Sequence, residues 1–162
     1  MEKGEKLYAR AGKIQSWAWV QLGIIYLGGH GVERDLAKSR ELMQKGNDDY
    51  ITDGDNSFEG VLARAEAGGK SAMYRTGIRY LYGGDDGKTY PVDPEKALYW
   101  LEKAADQGNW MSSILVSYEY YVGVVVPRDL EKARDELGYY GEDSFIMLRE
   151  DIEQALAEEG NI

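Results

Sequence analysis

Three similar segments recur along this chain, each centred on a tyrosine, and this repetition constrains the fold more than any other feature. Tyr26, Tyr80 and Tyr120 are each preceded by a small residue eight positions earlier and by a glycine or a serine three positions earlier. An aspartate follows the first and third tyrosines by nine residues and the second by thirteen. Once the inserted residues are removed, the period is about 36 residues, which is the length of a helical repeat. Such a unit buries little apolar surface alone, so the sequence predicts a stack of repeats that share a core.

Each repeat has the pattern of two helices. Apolar residues recur at helical spacing in the first half of each unit, and a glycine-containing stretch follows. These first helices are predicted at Ser16–Leu27, Lys70–Tyr82 and Trp110–Val122. The second helices, with Asp35, Asp93 and Asp129 as N-caps, are predicted at Leu36–Lys45, Pro94–Gln107 and Leu130–Tyr139. Two further helices are predicted at Phe58–Ala67 and Ser144–Glu159. Because prolines are few and Val122–Val126 is the main β-branched run, the sequence predicts an all-α fold.

Residues at fixed positions in two parts of the chain match a known repeat motif. The matching residues are Ala18, Leu22, Gly23, Tyr26, Gly29, Gly31, Val32 and Asp35, followed by Asp93, Ala97, Trp100, Lys103, Ala104, Ala105 and Gly108. This pattern resembles the Sel1-like repeat family, whose helical repeats are related to tetratricopeptide repeats. The third unit departs from the motif, with Ser117 in place of the glycine and no Lys-Ala-Ala segment.

The resemblance implies a single-domain α-solenoid, that is, a short right-handed superhelix of antiparallel helix pairs. The repeats would span about 12–46, 68–108 and 109–140 of the 162 residues, with an extra loop and helix at 47–67 and a capping helix at 144–159. Small residues at Gly23 and Gly77 would let paired helices approach closely. Four framework aromatic residues are expected in the core, namely Tyr26, Tyr80, Tyr120 and Trp100.

Composition and charge exclude several functional classes. The chain has no cysteine and one histidine, which excludes disulfides, thiolate catalysis and any metal site that needs two imidazoles. Its formal net charge of −10 disfavours binding to nucleic acid or to an anionic membrane and favours a protein partner with a basic surface. No stretch is long and apolar enough to span a membrane, and the first residues lack the apolar core of a secretory signal. We expect a cytoplasmic location, or a periplasmic one if a leader has been removed.

Three local patterns invite a ligand-binding or catalytic interpretation, and none of them fits it. The loop Gly83–Thr89 follows a predicted helix and has Tyr82 where a phosphate-binding loop needs its first glycine. The acidic segment 47–59 resembles a calcium loop in composition, but Ile51 occupies a ligand position. His30 lies in a glycine-rich turn and is expected to face solvent. We therefore predict no catalytic residue, no cofactor and no bound metal.

The resemblance also implies a surface for a partner protein. In tetratricopeptide-like stacks, certain positions of the first helices line the concave face, and here they hold tyrosines and a tryptophan, which suit protein recognition. The predicted partner-binding residues are Trp17, Tyr74, Arg75, Arg79, Tyr82, Tyr118 and Tyr121. The two arginines are four residues apart and could clamp one carboxylate of the partner. The acids of Asp48–Asp55 and Asp85–Asp86 lie in insertions, from which they could steer a basic partner. The alternative is that the extra helix or the C-terminal segment fills this groove.

The sequence thus favours a non-catalytic protein that binds another protein. Within this class, the small size and the acidity suit a bacterial immunity or regulatory protein that neutralises its partner, and an adaptor or a chaperone is an alternative. Two other classes stay open. Some Sel1-like proteins are linked to β-lactam hydrolysis or binding, although those resemble disulfide-stapled repeats, which a chain without cysteine cannot form. The other class is a purely structural subunit of a homo-oligomer.

Overall fold

The computed structural model describes residues 17–48, 57–83, 91–138 and 145–160, and the regular structure within these ranges is entirely helical. The helices are α1 (Trp17–Gly28), α2 (Leu36–Asp48), α3 (Phe58–Glu66), α4 (Lys70–Tyr82), α5 (Pro94–Asp106), α6 (Trp110–Val122), α7 (Leu130–Leu137) and α8 (Ile146–Gly160). The predicted all-α fold is confirmed. Both ends of α4 and of α6 are as predicted, and the other predicted ends differ by at most three residues. The predicted ends at Ser16, Tyr139 and Ser144 lie outside the described residues.

The chain forms two compact units. The first comprises Met1–Ile51 and Gly141–Asp151, and the second comprises Thr52–Tyr140 and Ile152–Ile162, so the division runs through α8. In the first unit, α1 packs against α2. In the second unit, each helix from α3 to α7 packs against the next one along the chain. The two helices of each predicted repeat thus contact each other, as the repeat predicts. The handedness of the stack stays a prediction.

Each repeat closes its internal loop with the same two hydrogen bonds. The aspartate before the second helix donates its backbone N–H to the carbonyl oxygen of the framework tyrosine, and its carboxylate accepts the N–H of the residue three positions later. The first bond joins Asp35 to Tyr26 (3.0 Å), Asp93 to Tyr80 (2.9 Å) and Asp129 to Tyr120 (3.0 Å). The second bond is the N-cap, at 2.9 Å in the first repeat and 3.0 Å in the other two. The three predicted N-caps are confirmed, and the inserted residues before Asp93 leave both bonds in place.

Small residues bring the two helices of each hairpin close together. A Cβ atom added to Gly77 would lie 2.5 Å from Cγ of Leu101 on α5, and one added to Gly23 would lie 3.0 Å from a methionine of α2. The third repeat has a serine at this position, and the Ser117 hydroxyl donates to the carbonyl oxygen of Ala133 at 2.6 Å. The departure of the third repeat from the motif is therefore accommodated by a hydrogen bond between its two helices.

Substitution of Gly77 by alanine is expected to destabilise the second unit. Overlap with Leu101 should cost about 1–3 kcal/mol and outweigh the gain in helix propensity, which is about 1 kcal/mol at most. Gly23→Ala is the matched control, with a smaller loss because the flexible side chain of Met43 can move away. Urea denaturation measures both free energies of unfolding. A Gly77→Ala protein as stable as the wild type would contradict this close packing.

The framework aromatic residues are less uniformly buried than the repeat predicts. Trp100 and Tyr120 are each 8% exposed, whereas Tyr26 and Tyr80 are only partly buried. The expectation that all four lie in the core is therefore wrong for Tyr26 and Tyr80. The Tyr80 ring packs edge-on against Phe58 at a centroid distance of 5.2 Å, and Phe58 is itself partly exposed. Tyr80 thus lies at the margin of the core of its unit.

Candidate functional site

Four of the predicted partner-binding residues are buried in the second unit. Tyr74 and Tyr118 are each 0% exposed, and Arg75 and Arg79 are 7% and 1% exposed. At these four positions the structure differs from the open groove that the sequence led us to expect. A partner can reach these side chains only if the atoms that cover them move away. Their role in partner binding stays a prediction, and it requires in addition that the covering atoms move away.

The other three predicted residues differ from one another in accessibility. Tyr82 and Tyr121 are partly exposed and lie in the last turns of α4 and α6. Arg128 holds Tyr121 in place, because its guanidinium carbon lies 5.9 Å from the ring centroid and its Nε donates to the Tyr121 carbonyl oxygen at 3.1 Å. Trp17 is the first residue of α1, and its side chain is not among those that the structure describes. Tyr82 and Tyr121 are thus the predicted residues that the structure shows at the surface.

An open cleft lies in the second unit, where the segment before α5 meets the loop between α6 and α7. Its volume is about 630 Å³, a size that admits several side chains of a ligand. Its apolar lining consists of Val92, Pro94, Leu98, Tyr120, Val125, Val126 and Pro127. Its charged lining consists of Asp93, Glu95, Arg128, Asp129 and Lys132. We call this site the loop-end cleft. Val92 is 55% exposed and Val126 is 8% exposed, so the apolar lining runs from the solvent to the core.

The local sequence explains how the loop between α6 and α7 forms one wall of the loop-end cleft. α6 ends at Val122 and is capped by Gly123, which has a positive φ of 68° and donates its N–H to a carbonyl oxygen of the last turn. A Cβ atom on Gly123 would lie 2.6 Å from Cβ of Arg128, so the glycine lets the loop fold back on itself. The folded-back loop contributes Val125 and Val126 to the lining of the cleft, which the start of α5 also lines.

The two basic residues of the loop-end cleft are already engaged. Nζ of Lys132 lies 5.1 Å from the ring centroid of Tyr120, a cation–π contact. Nη1 of Arg128 pairs with Oε1 of Glu159, and its Nε donates to a backbone carbonyl oxygen. Neither cation is therefore available to a ligand without the loss of an existing contact.

The acidic residues of the loop-end cleft are only partly compensated. Asp93 pairs with Lys96 at 2.8 Å, and this hydrogen bond lowers the pKa of the Asp93 carboxyl. Asp129 accepts the backbone N–H at the start of α7. The carboxylate of Glu95 is exposed and forms no ion pair within the part of the chain that the structure describes. Glu95 is thus an acid at the rim that a cation from outside can approach.

Carboxylates of α5 and α7 lie around the hydroxyl of Tyr120. This hydroxyl donates to Oε1 of Glu102 at 3.3 Å. Burial, together with the negative charges of Glu102, Glu136 and Asp129, raises the pKa of Tyr120 to about 12. Burial and repulsion from Glu102 and Asp106 also raise the pKa of Glu136. The surroundings of the Tyr120 hydroxyl therefore have an excess of negative charge, and Tyr120 also lines the loop-end cleft.

His30 makes a specific contact in the first unit. Its Nε2 lies 3.1 Å from Oδ2 of Asp151, and the two side chains are 29% and 11% exposed. The predicted position in the α1–α2 turn is confirmed, and the side chain is only partly exposed to solvent because it also contacts Asp151. The partner is 121 residues away along the chain, so no local pattern could have indicated it.

Asp151 is expected to give the free energy of unfolding a defined pH dependence. Burial raises the pKa of the Asp151 carboxyl, against the lowering effects of His30 and Arg34 and with a small further rise from Glu150. The folded protein therefore holds the Asp151 proton more tightly than the unfolded chain does, and this contribution to stability is lost as the pH rises through the raised pKa.

The measurement is urea denaturation of the wild type and of Asp151→Asn between about pH 3 and pH 5.5. The stability of the wild type relative to the variant should fall as the pH rises. Glu66→Gln, which changes an exposed carboxylate, is the control and should show no such trend. A relative stability that rises with pH would show that the contact with His30 outweighs the burial.

Several segments of interest lie outside the described residues. Residues 49–56 and 84–90 include most of the acidic residues of the two insertions. They also include most of the two loops that were compared with calcium-binding and phosphate-binding sites. Among the described residues, no group of three or more histidines or acids is placed to hold a metal ion. None of the described helices combines the length and the apolar character needed to cross a membrane.

One family model and two solved structures are similar to this chain. The family model for the Sel1 repeat matches residues 20–48, 70–109 and 111–135, which make up more than half of the chain. One similar solved structure is a protective antigen of uropathogenic Escherichia coli strains that displays an SLR fold. It is 22% identical with a TM-score of 0.40, over 95% of this chain and 27% of the antigen. Another is a Sel1 repeat protein from Oxalobacter formigenes, which is 23% identical with a TM-score of 0.42, over 98% of this chain and 50% of that one. The chain thus spans at most half the length of either protein.

Proposed function

Since the chain belongs to the Sel1 repeat family, we propose that it is a non-catalytic module that binds another protein through a basic surface of that partner. Sel1 repeats generally mediate protein–protein interaction. The observation that carries the proposal is the repeat itself, which occupies more than half of the chain. The net charge of −10 supports a basic partner, because complementary charge speeds association and disfavours acidic competitors.

Within this function we favour a bacterial immunity or regulatory protein, which binds one partner and blocks its active surface. A net charge of −10 suits this role, because an acidic domain can cover a basic site on another protein. Of the residues predicted to bind the partner, Tyr82 and Tyr121 are the two that the structure shows partly exposed. Participation of the buried Tyr74 and Tyr118 would require the protein to open.

Affinity purification of the tagged chain from its native host tests the proposed function. We expect one basic protein to co-purify in a stoichiometric amount and to dissociate more readily as the salt concentration rises, because screening weakens charge complementarity. Separate purification from the cytoplasmic and periplasmic fractions would also locate the complex. Recovery of no protein partner from either fraction would contradict the proposal.

A further inference from the structure

We propose that the loop-end cleft binds an extended segment of the partner protein that presents an aliphatic side chain next to a lysine or an arginine. This inference rests on the proposed function, because it names the partner chemistry and the surface on which the partner docks. The aliphatic side chain fills the apolar floor, and the basic side chain lies over the acidic rim.

The apolar part of the cleft favours an aliphatic side chain. Val92 is 55% exposed at its edge, and the lining continues inward to Val126 and Tyr120, which are each 8% exposed. An exposed apolar surface that leads into a concave site is characteristic of ligand recognition. A volume of about 630 Å³ is enough for a few side chains of a peptide and too small for a folded domain.

The charges around the cleft favour a basic neighbour for that side chain. Glu95 lies on the rim with no ion pair among the described residues, whereas Lys132 and Arg128 are engaged by Tyr120 and Glu159. Glu102, Asp106 and Glu136 add negative charge on the same side as the Tyr120 hydroxyl. A cation therefore gains an unpaired carboxylate, whereas an acidic peptide meets repulsion.

The same charges argue against two other occupants. A second copy of this chain would also carry a net charge of −10, so docking of one copy on another is opposed by repulsion. A small anion would meet the acids of the rim and would have to displace Lys132 or Arg128 from existing contacts. A basic segment of a different protein is the occupant that the charges favour.

A peptide titration followed by methyl NMR tests the inference directly. The probe is a short capped peptide with leucine between two lysines. The matched peptides carry glutamates in place of the lysines or alanine in place of the leucine. We expect the lysine–leucine peptide to shift the methyl signals of Val92, Val125 and Val126, while those of the buried Val61 and Val116 stay unchanged. The glutamate peptide should bind at least about tenfold more weakly. Equal affinities, or no shift at the cleft valines, would overturn the inference.

Paired variants locate the site within the protein. Val92→Lys should weaken binding of the lysine–leucine peptide about tenfold, because it removes apolar surface and adds a like charge. Val124→Lys is the matched control, since Val124 is 56% exposed but does not line the cleft. Glu95→Gln should weaken binding by a smaller factor. Its control is Glu59→Gln, because both glutamates are the second residue of their helices. Equal effects of a variant and its control would overturn the inference.

The partner captured from the native host separates this inference from the proposed function. If the wild type and Val124→Lys capture a partner and Val92→Lys does not, both the proposed function and the assignment of the cleft stand. If both lysine variants retain the partner, the proposed function stands and the assignment of the cleft is overturned. If no partner is captured, the proposed function fails, and the peptide titration alone decides whether the cleft binds basic aliphatic segments.

Discussion

Tyr74→Ala and Tyr118→Ala are each expected to lower the free energy of unfolding by about 3–5 kcal/mol, the range for truncation of a large buried aromatic residue. Both side chains are 0% exposed, so each truncation removes a fully packed ring and leaves a cavity. The sequence predicts a different result, namely a loss of partner binding of about 2 kcal/mol with the fold intact. Urea denaturation followed by circular dichroism distinguishes the two.

Tyr99→Ala is the matched control, because Tyr99 is 50% exposed and should lose less than about 1 kcal/mol. A Tyr74→Ala protein that is as stable as the wild type but no longer binds its partner would contradict the burial of Tyr74. It would support the open groove that was predicted from the sequence.

Arg79→Ala is expected to lower the free energy of unfolding by a similar amount, because it removes a buried charge from the groups that compensate it. Arg79 is 1% exposed, and it is the largest of the fully buried residues in the part of the chain that the structure describes. A buried guanidinium is tolerated only with its compensating groups, and removal of one member of such a set typically costs about 3–5 kcal/mol. The protein should therefore unfold at a clearly lower urea concentration.

Arg134→Ala provides the comparison for Arg79. Arg134 is exposed and pairs with Glu131 and Asp135 at the surface, where such pairs contribute at most about 1 kcal/mol. If both arginine variants lost the same small amount of stability, Arg79 would be solvated in solution and free to clamp a partner carboxylate, as the sequence predicts.

Much of the fold could be predicted because the repeat places the same residue types at the same spacing. The aspartate N-caps set the start of each second helix, and the left-handed glycines at Gly83 and Gly123 set the ends of α4 and α6. The close approach at Gly77 also follows from the register, because its neighbour on α5 occupies a fixed position in the repeat. Local signals that recur three times are difficult to misread.

Burial of the concave positions could not be predicted in the same way. Tyrosine suits an exposed binding surface and a packed interior equally well at Tyr74 and Tyr118, whereas Arg75 and Arg79 favoured an exposed surface, because arginine is seldom fully buried unless its charge is paired. The difference depends on which other parts of the chain lie over them, and the repeat contains no information about that. The contact between His30 and Asp151 was missed for a similar reason, since its members are distant in sequence.

The loop-end cleft did leave a trace in the sequence. Val122–Val126 is a β-branched run in a sequence that otherwise predicts helices, and α6 ends at its first residue. Val92 is likewise an exposed aliphatic residue next to an N-cap. The available signal was a set of aliphatic residues in two different loops. This signal could be interpreted only once the pairing of the repeats had brought the two loops together.

Photo-crosslinking in the native host tests whether this chain binds a basic partner protein through the loop-end cleft. A benzophenone amino acid is placed at Val92, at Val124 or at Tyr82. We expect an adduct with one basic protein from position 92 and none from position 124, and a lower yield from position 92 when a lysate is irradiated at high salt. Absence of an adduct from position 92 together with an adduct from position 82 would contradict this expectation and place the partner in the groove predicted from the sequence.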